Sequence, residues 1–388
     1  MADRSKIEWT DASWNPVRAA WRVLGQKTQG AGGDRPIGWH CEHVSEGCRN
    51  CYAEGFNLRL GTRLDYKPGN RDVIDIFLDE KLLLQPLRWK RPRKIFVGSM
   101  TDLFADFVSD DMLDKIFAVV ALSPQHTFQF LTKRPARMRE YLTRGQCGFY
   151  EFYAGDACNR VGDLVEKMRR SGLGMPPNGV GPVGHLQPGA RWWPPSNVWL
   201  GVSCEDQATT LERCEQLKAT PAAVRFVSCE PLLEDIGEAL NEFMGTCTIR
   251  IPKNVSPIRP FDPDTTTIGG AVSGLGGMIV DNNDRAIDWV IVSGESGPHA
   301  RPMHADWARS IRNLCACVGV PFFFKQWGEW APDSMCGEHV RFSARNPGPE
   351  LHGWPYDEAT DTWRIGKRRA GRLLDGIEHN AFPEVANG

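Results

Sequence analysis

The 388-residue sequence has no run of about 18 apolar residues free of charge, and so no candidate transmembrane helix. Its opening, MADRSKIEWTDASWNP, lacks the apolar stretch of a signal peptide. A cytosolic protein with no membrane partner is expected. An excess of one charge is also missing: 46 Lys and Arg stand against 48 Asp and Glu, a formal net charge of −2. A globally basic nucleic-acid scaffold is thereby excluded, and contact with a polyanion has to come from local patches. The twelve cysteines lack the regular spacing of a secreted disulfide framework, so a tight group of them reads as a metal or cluster site. No low-complexity tail and no internal repeat beyond a strand-helix unit is found. What is present is the balance of a globular chain, 41% hydrophobic and 24% charged. Fourteen Trp with 39 Gly and 27 Pro predict loops that carry aromatic anchors.

Six short apolar runs end in small or polar residues: KIFVGSMTD (94–102), TFQFLTKRP (127–135), NVWLGVSCED (197–206), VRFVSCEPL (224–232), DWVIVSGESG (288–297) and PFFFKQWGE (321–329). Each reads as a buried parallel strand whose carboxyl end feeds a polar loop. A further strand is expected near Ile7 to Trp9. Helices alternate with the strands. Ser109 is the expected N-cap of one, with Asp110 and Asp111 in its first turn and Met112, Ile116, Val119 and Val120 on one face. A second spans Gln207 to Lys218 with Leu211, Cys214 and Leu217 inward. A third carries Trp307, Ile311, Leu314 and Val318 and stops at Gly319. This alternation predicts an α/β fold, a partial or complete (β/α) TIM-like barrel. It forms a single domain over 1–388, interrupted by insertions near 17–39, 145–196 and 237–286, the middle one holding a short helical pattern at 161–170.

The strongest chemical signal is WHCEHVSEGCRNCYAEGFN, in which Cys41, Cys48 and Cys51 are spaced C-x6-C-x2-C. Three thiolates on one loop can hold three irons of a 4Fe-4S cluster and leave the fourth iron open. A structural zinc with His40 or His43 as fourth ligand is the alternative, and three buried free cysteines the third reading. Spacing does not choose between zinc and iron-sulfur. Tyr52 and Phe56, which follow, are expected to pack beneath the loop.

Polar residues cluster at the strand ends, where barrel active sites are built. Ser99, Thr101 and Asp102 follow the first run; Asp102 either accepts hydrogen bonds from a ribose or ammonium group or caps the next helix. Lys133 offers a cation to a phosphate or carboxylate, whereas Arg134 is expected in a solvated basic turn. Ser203 with Glu205, and Ser228 with Glu230, repeat a polar residue plus Glu at adjacent ends and suggest a ring around a central pocket. Cys204 and Cys229 alternate with them and should pack against helices. Glu295 sits among glycines, Gly294 included, that permit close backbone approach to a ligand. Lys325 is expected as a pocket cation. Three basic patches (Lys90 to Lys94, Lys133 to Arg139, Lys367 to Arg372) could bind phosphates if the fold unites them, with nearby Trp stacking bases. The last, in GKRRAGRLLDG, looks like a docked tail.

IEWTDASWNPV, the three-cysteine loop ending in CYAE, SMTDLF, LTKRP, NVWLGVS, FVSCEPLL, WVIVSGESG, FFFKQWGEW and GKRRAGRLLDG resemble, in this order, a family of poorly defined function found in bacteriophages and prophages. That family in turn resembles the radical S-adenosylmethionine (SAM) superfamily, spore photoproduct lyase in particular. The superfamily's usual spacing is C-x3-C-x2-C; here the first gap is longer and the aromatic Tyr52 follows the last cysteine. The resemblance implies a cytoplasmic enzyme of a bacterial host, with a 4Fe-4S cluster on Cys41, Cys48 and Cys51 and with SAM on its open iron. An electron, delivered by a donor protein, then cleaves the sulfonium and leaves a 5′-deoxyadenosyl radical. SAM is expected among Ser99, Thr101, Asp102, Lys133, Ser203, Glu205, Ser228, Glu230, Gly294 and Glu295, with Asp102, Glu230 and Lys325 as catalytic candidates. The implied substrate is a nucleic acid or nucleotide; the alternative is a non-catalytic, zinc-stabilised nucleic-acid-binding phage protein.

Overall fold

Each of the six apolar runs folds into a strand, because it is too short and too rich in β-branched and aromatic residues for a buried helix. The structure is a computed structural model that describes residues 5–22, 36–144, 157–173, 193–249, 278–281, 285–332 and 362–384. The strands are β2 (Lys94–Val97), β3 (Thr127–Thr132), β4 (Val198–Ser203), β5 (Val224–Cys229), β6 (Trp289–Ser293) and β7 (Phe322–Gln326). They follow β1 (Ala12–Trp14). The strand expected at Ile7 to Trp9 is thus displaced: that segment is a turn, and Trp9 buries its ring beside Phe96, 4.7 Å between centroids, while Ala12 to Trp14 pair with β2.

All seven strands are parallel and lie in chain order, every strand beside its successor. Single winding puts every crossover on one face. The helices α1 (Tyr52–Arg59), α2 (Asp110–Ala121), α3 (Pro135–Thr143), α4 (Ala157–Arg170), α5 (Gln207–Lys218), α6 (Gly237–Met244) and α7 (Ala305–Val318) connect them. The sheet curls into a half-barrel. Alternate strand residues divide between two cores. Phe128, Phe130, Val202, Cys204, Val227 and Cys229 face the helices, whereas Trp9, Phe96, Trp199, Phe226, Trp289 and Phe323 fill the concave side with rings. Gly201 makes room for that aromatic floor, since a Cβ there would meet the Phe226 ring at 2.4 Å.

Local chemistry fixes the helix ends as expected at Ser109 and Gly319, and adds a capping box at the start of α5. Ser109 Oγ accepts from the Met112 amide at 3.3 Å, Asp206 and Thr209 form a capping box on α5, and Gly319 ends α7 at φ 68°. The inward face of α5 differs from expectation. Cys214 and Leu217 are buried as expected, but Leu211 is 39% exposed, and Thr210 and Arg213 are buried in its place.

The tail docks on β7. The Phe324 amide donates to His379 O at 2.9 Å, and Phe382 packs on Trp289 with centroids 4.9 Å apart. Asp375 receives Arg309 at 2.7 Å and Arg312 at 2.5 Å from α7. Within the expected insertions, Val17–Trp21 pairs antiparallel with Ile74–Leu78, and Thr246–Ile249 with Met278–Asp281. Most of the rest (23–35, 145–156, 174–192, 250–277, 282–284), including Cys147, lies outside the described residues, as does Cys336. Among the described residues no helix is long and apolar enough to cross a membrane.

Candidate functional site

The cysteine loop lies across the carboxyl ends of the strands, tied down by its own polar residues. Ser45 Oγ donates to Glu205 beyond β4. Asn50 Nδ2 donates to Glu295 Oε2 (3.0 Å) and to His299 O (2.8 Å) beyond β6. Arg301 Nη2 reaches Glu46 O at 3.0 Å, Arg134 Nη2 reaches Glu42 O at 3.1 Å, and Tyr52 OH donates to Ser99 O at 2.7 Å. Buried Asn57 on α1 exchanges hydrogen bonds with both backbone groups of Trp39, 3.1 and 2.8 Å. Glu42 is gripped by Arg71, whose other side holds Asp106 at 2.7 Å.

Cys41, Cys48 and Cys51 are free thiols. Burial pushes the Cys41 thiol up to about 12, helped by the Asp102 carboxylate and opposed by Arg134. Burial also raises Cys51, against the pull of the Ala53 and Glu54 amides at the start of α1. Cys51 is within electrostatic range of both Cys41 and Cys48. A thiolate in such surroundings calls for a cation beside it. Among the described residues no three His, Cys, Asp or Glu side chains gather around one point as a single ion requires. Both loop histidines face carboxylates: His40 Nε2 is 3.3 Å from Glu42, and His43 Nε2 is 3.2 Å from Glu54. Burial lowers the pKa of His40, and its Nδ1 is buried without a partner.

Beneath the loop the strand ends form the expected polar ring, and its acids are paired. Fully buried Glu205 takes Arg213 at 2.8 Å and Lys133 at 3.1 Å. Its pKa is lowered; burial alone would raise it, and the two cations outweigh burial. Lys133 also donates to Ser203 Oγ at 3.0 Å. Lys325 Nζ meets Glu230 Oε2 at 3.2 Å, while Glu230 Oε1 and Ser228 Oγ are buried without partners. Glu295 is held bidentately by Arg301, 2.7 and 2.9 Å. Asp102 accepts from Thr132 Oγ1 (2.7 Å), the Lys133 amide (3.0 Å) and Arg134 (3.1 Å). Ser99 Oγ bonds Asn15 at 3.0 Å, and Thr101 Oγ1 is buried without a partner.

Two expectations change, and one residue gains a second reason. Arg134 is not in a solvated turn but mostly buried, bridging Asp102 and the loop. Gly294 has a scaffold reason of its own, because a Cβ there would lie 1.9 Å from Trp327 O. Tyr52 and Phe56 do not pack beneath the loop: they are 54% and 41% exposed. Asn50, Arg213 and Arg301 were not legible as site residues, although an arginine on the apolar stripe of α5 is a signal that a buried acid awaits it.

A family model described as a protein of unknown function (DUF5131) matches residues 37–383, from just before the cysteine loop to the end of the docked tail. The chain belongs to the DUF5131 family. No curated protein and no solved structure matches it. In this DUF5131 chain the matched span contains the whole loop, the ring of paired acids and six of the seven strands, β1 alone lying ahead of it. Chemically, the arrangement offers three thiols above a polar layer in which Thr101 Oγ1, Ser228 Oγ and Glu230 Oε1 are unpartnered, over a floor of packed aromatic rings.

Proposed function

We propose that this chain is a radical SAM-type enzyme on a partial TIM-like barrel, acting in the bacterial cytoplasm on a nucleic-acid or nucleotide substrate and fed by an electron-donor protein. The observation that carries this reading is the placement of the three-cysteine loop across the strand carboxyl ends of a parallel half-barrel, where such folds keep their chemistry. Cys41, Cys48 and Cys51 would hold a 4Fe-4S cluster. The donor set fits: three free thiols on one loop, two of them, Cys41 and Cys51, buried in surroundings that call for a cation. When bound, the cluster and SAM supply one-electron chemistry. The chain's own residues position and shield. Ser45 with Glu205, and Asn50 with Glu295, tie the loop to the strand ends. Glu230 Oε1 and Ser228 Oγ are open to a polar ligand, Lys325 and Lys133 set the local charge, and Trp199, Phe226 and Trp289 close the floor. The ion pairs at Asp102, Glu205 and Glu295 make those acids part of the frame that orients the loop. The zinc reading is weaker, because the His40 and His43 rings engage Glu42 and Glu54.

Anaerobic purification followed by iron, sulfide and zinc analysis tests the proposal. About four irons and about four sulfides per chain are expected, lost in Cys41→Ala, Cys48→Ala and Cys51→Ala and kept in Cys158→Ala. Stoichiometric zinc without sulfide overturns it.

A further inference from the structure

We infer that the rim of the cysteine loop is a binding track for a single-stranded polynucleotide, with bases stacked on Tyr52 and Phe56 and phosphates carried by Arg59, Arg63 and the Lys367–Arg369 turn. This deepens the substrate named above and rests on that reading for its purpose, though not for its geometry.

Tyr52 and Phe56 stand one helical turn apart on the same side of α1, 6.5 Å between centroids and edge to face at 84°, so each ring offers its own stacking face. Arg59 extends the row, its Cζ 5.2 Å from the Phe56 ring. Interleaved rings and guanidinium groups on an open surface form a stacking platform that every base can use. The row starts at the last cysteine: Cys51 is the N-cap of α1, and the hydrogen bond from Tyr52 OH to Ser99 O fixes the first ring at the end of β2.

The second half of the track adjoins the other side of the loop. Asn50 binds His299 O; next to it, Arg364 Nη2 donates to Pro298 O at 2.6 Å, and Glu329 joins the Gly297 and Lys367 amides at 3.2 and 3.3 Å. Exposed Lys367, Arg368 and Arg369 follow at once. Among the described residues no carboxylate pairs with any of these three, nor with Arg59 or Arg63. Glu46, exposed between the two halves, is engaged by Arg301 (3.3 Å) and Arg49 (3.6 Å), and Glu329 is held by backbone amides, so neither acid is ion-paired with the five cations. Five unpaired cations beside two exposed rings complement phosphates and unstacked bases. A duplex keeps its bases stacked on each other and could use only the charges. Leu58 and Leu60 are also exposed, which is the feature a protein partner would use.

The test is fluorescence anisotropy of the purified protein, iron content measured on the same sample, with labelled oligothymidylate and oligouridylate of about 20 nucleotides, longer than a single-module site. The expected result is preference for single strands over a duplex of the same length. Phe56→Leu should weaken binding about tenfold and Phe56→Trp restore it, a contrast that apolar contact with a protein would not give. Neutralising Lys367, Arg368 and Arg369 together should lower the salt slope by about 2, from roughly 0.7 per cation. Thermal melts confirm folding of each variant; the replaced side chains are exposed. Absence of binding at low salt, equal binding of the duplex, or equal affinity of the Phe56→Leu and Phe56→Trp variants overturns the inference and leaves the surface to a protein partner. Binding by a preparation without iron sustains the track and refutes the cluster, so the two failures are distinct.

Discussion

Glu205 is the acid on which the site's frame depends most. It is buried with Arg213 and Lys133, and it receives Ser45 from the cysteine loop. Glu205→Gln leaves Arg213 buried without its counter-charge, so a loss of about 3–5 kcal/mol is expected in urea unfolding. The pH dependence has a definite sign. The native pKa of Glu205 is depressed, so its contribution is present above the ordinary glutamate value of about 4.3 and is lost as pH falls through the lower native value. Wild type should therefore lose stability steeply below about pH 4, and the Gln variant, already weakened, should show a flatter acid limb. Matching slopes for the two proteins would show that Glu205 is not the titrating group. Serine and Glu at adjacent strand ends marked the ring in the sequence; the partners Arg213 and Arg301 were hidden because an ion pair has no periodic signature.

At the scale of elements, the N-cap of α5, Asp206, directly follows Glu205, so the cap sets where that carboxylate points. Asp206 accepts from the Thr209 amide at 2.7 Å, and Thr209 Oγ1 is 3.2 Å from the Asp206 amide. Asp206→Ala should cost about 1 kcal/mol by equilibrium unfolding, and loosen the loop because Ser45 hangs from the neighbouring residue. A change within error would mean that water replaces the cap. Six strands and the ends of α5 and α7 were legible because apolar runs, N-cap residues and Gly319 are local signals. Two local signals misled. Ile7 and Trp9 alternate about Glu8 as in a strand but lie ahead of the residues that register with β2, and Leu211 gives up the inward position while Arg213 reaches Glu205.

For the whole molecule, the open side of the half-barrel is the weak point. β7 is an edge strand, and the tail covers it: Phe324 N bonds His379 O, Ala381 N bonds Phe322 O at 3.3 Å, and Phe382 adds its ring to the floor with Lys94 4.4 Å above it. Truncation before Gly371 exposes that edge and Trp289. The melting temperature should fall, and size-exclusion chromatography should show concentration-dependent association through the bare strand. An unchanged melt and a monomer would assign the tail no structural role. The same docking explains why the three basic patches do not merge into one face. Lys90 to Lys94 enter the amino end of β2, Lys133 and Arg134 are bound into the ring at the carboxyl end of β3, and Arg372 lies over Phe323.

The sequence by itself determined the α/β alternation, the strand runs, the helix ends at Ser109 and Gly319 and the existence of a three-cysteine loop, since each depends on residues within a few positions of one another. Tertiary structure alone decided which acids are bound by which arginines, that Tyr52 and Phe56 face outward, that Gly294 yields to Trp327, and that the tail completes the floor. These outcomes join residues far apart in the chain, Asn50 with Glu295 or Phe324 with His379. The free energy of such a contact comes from desolvation and geometry that only the assembled half-barrel provides.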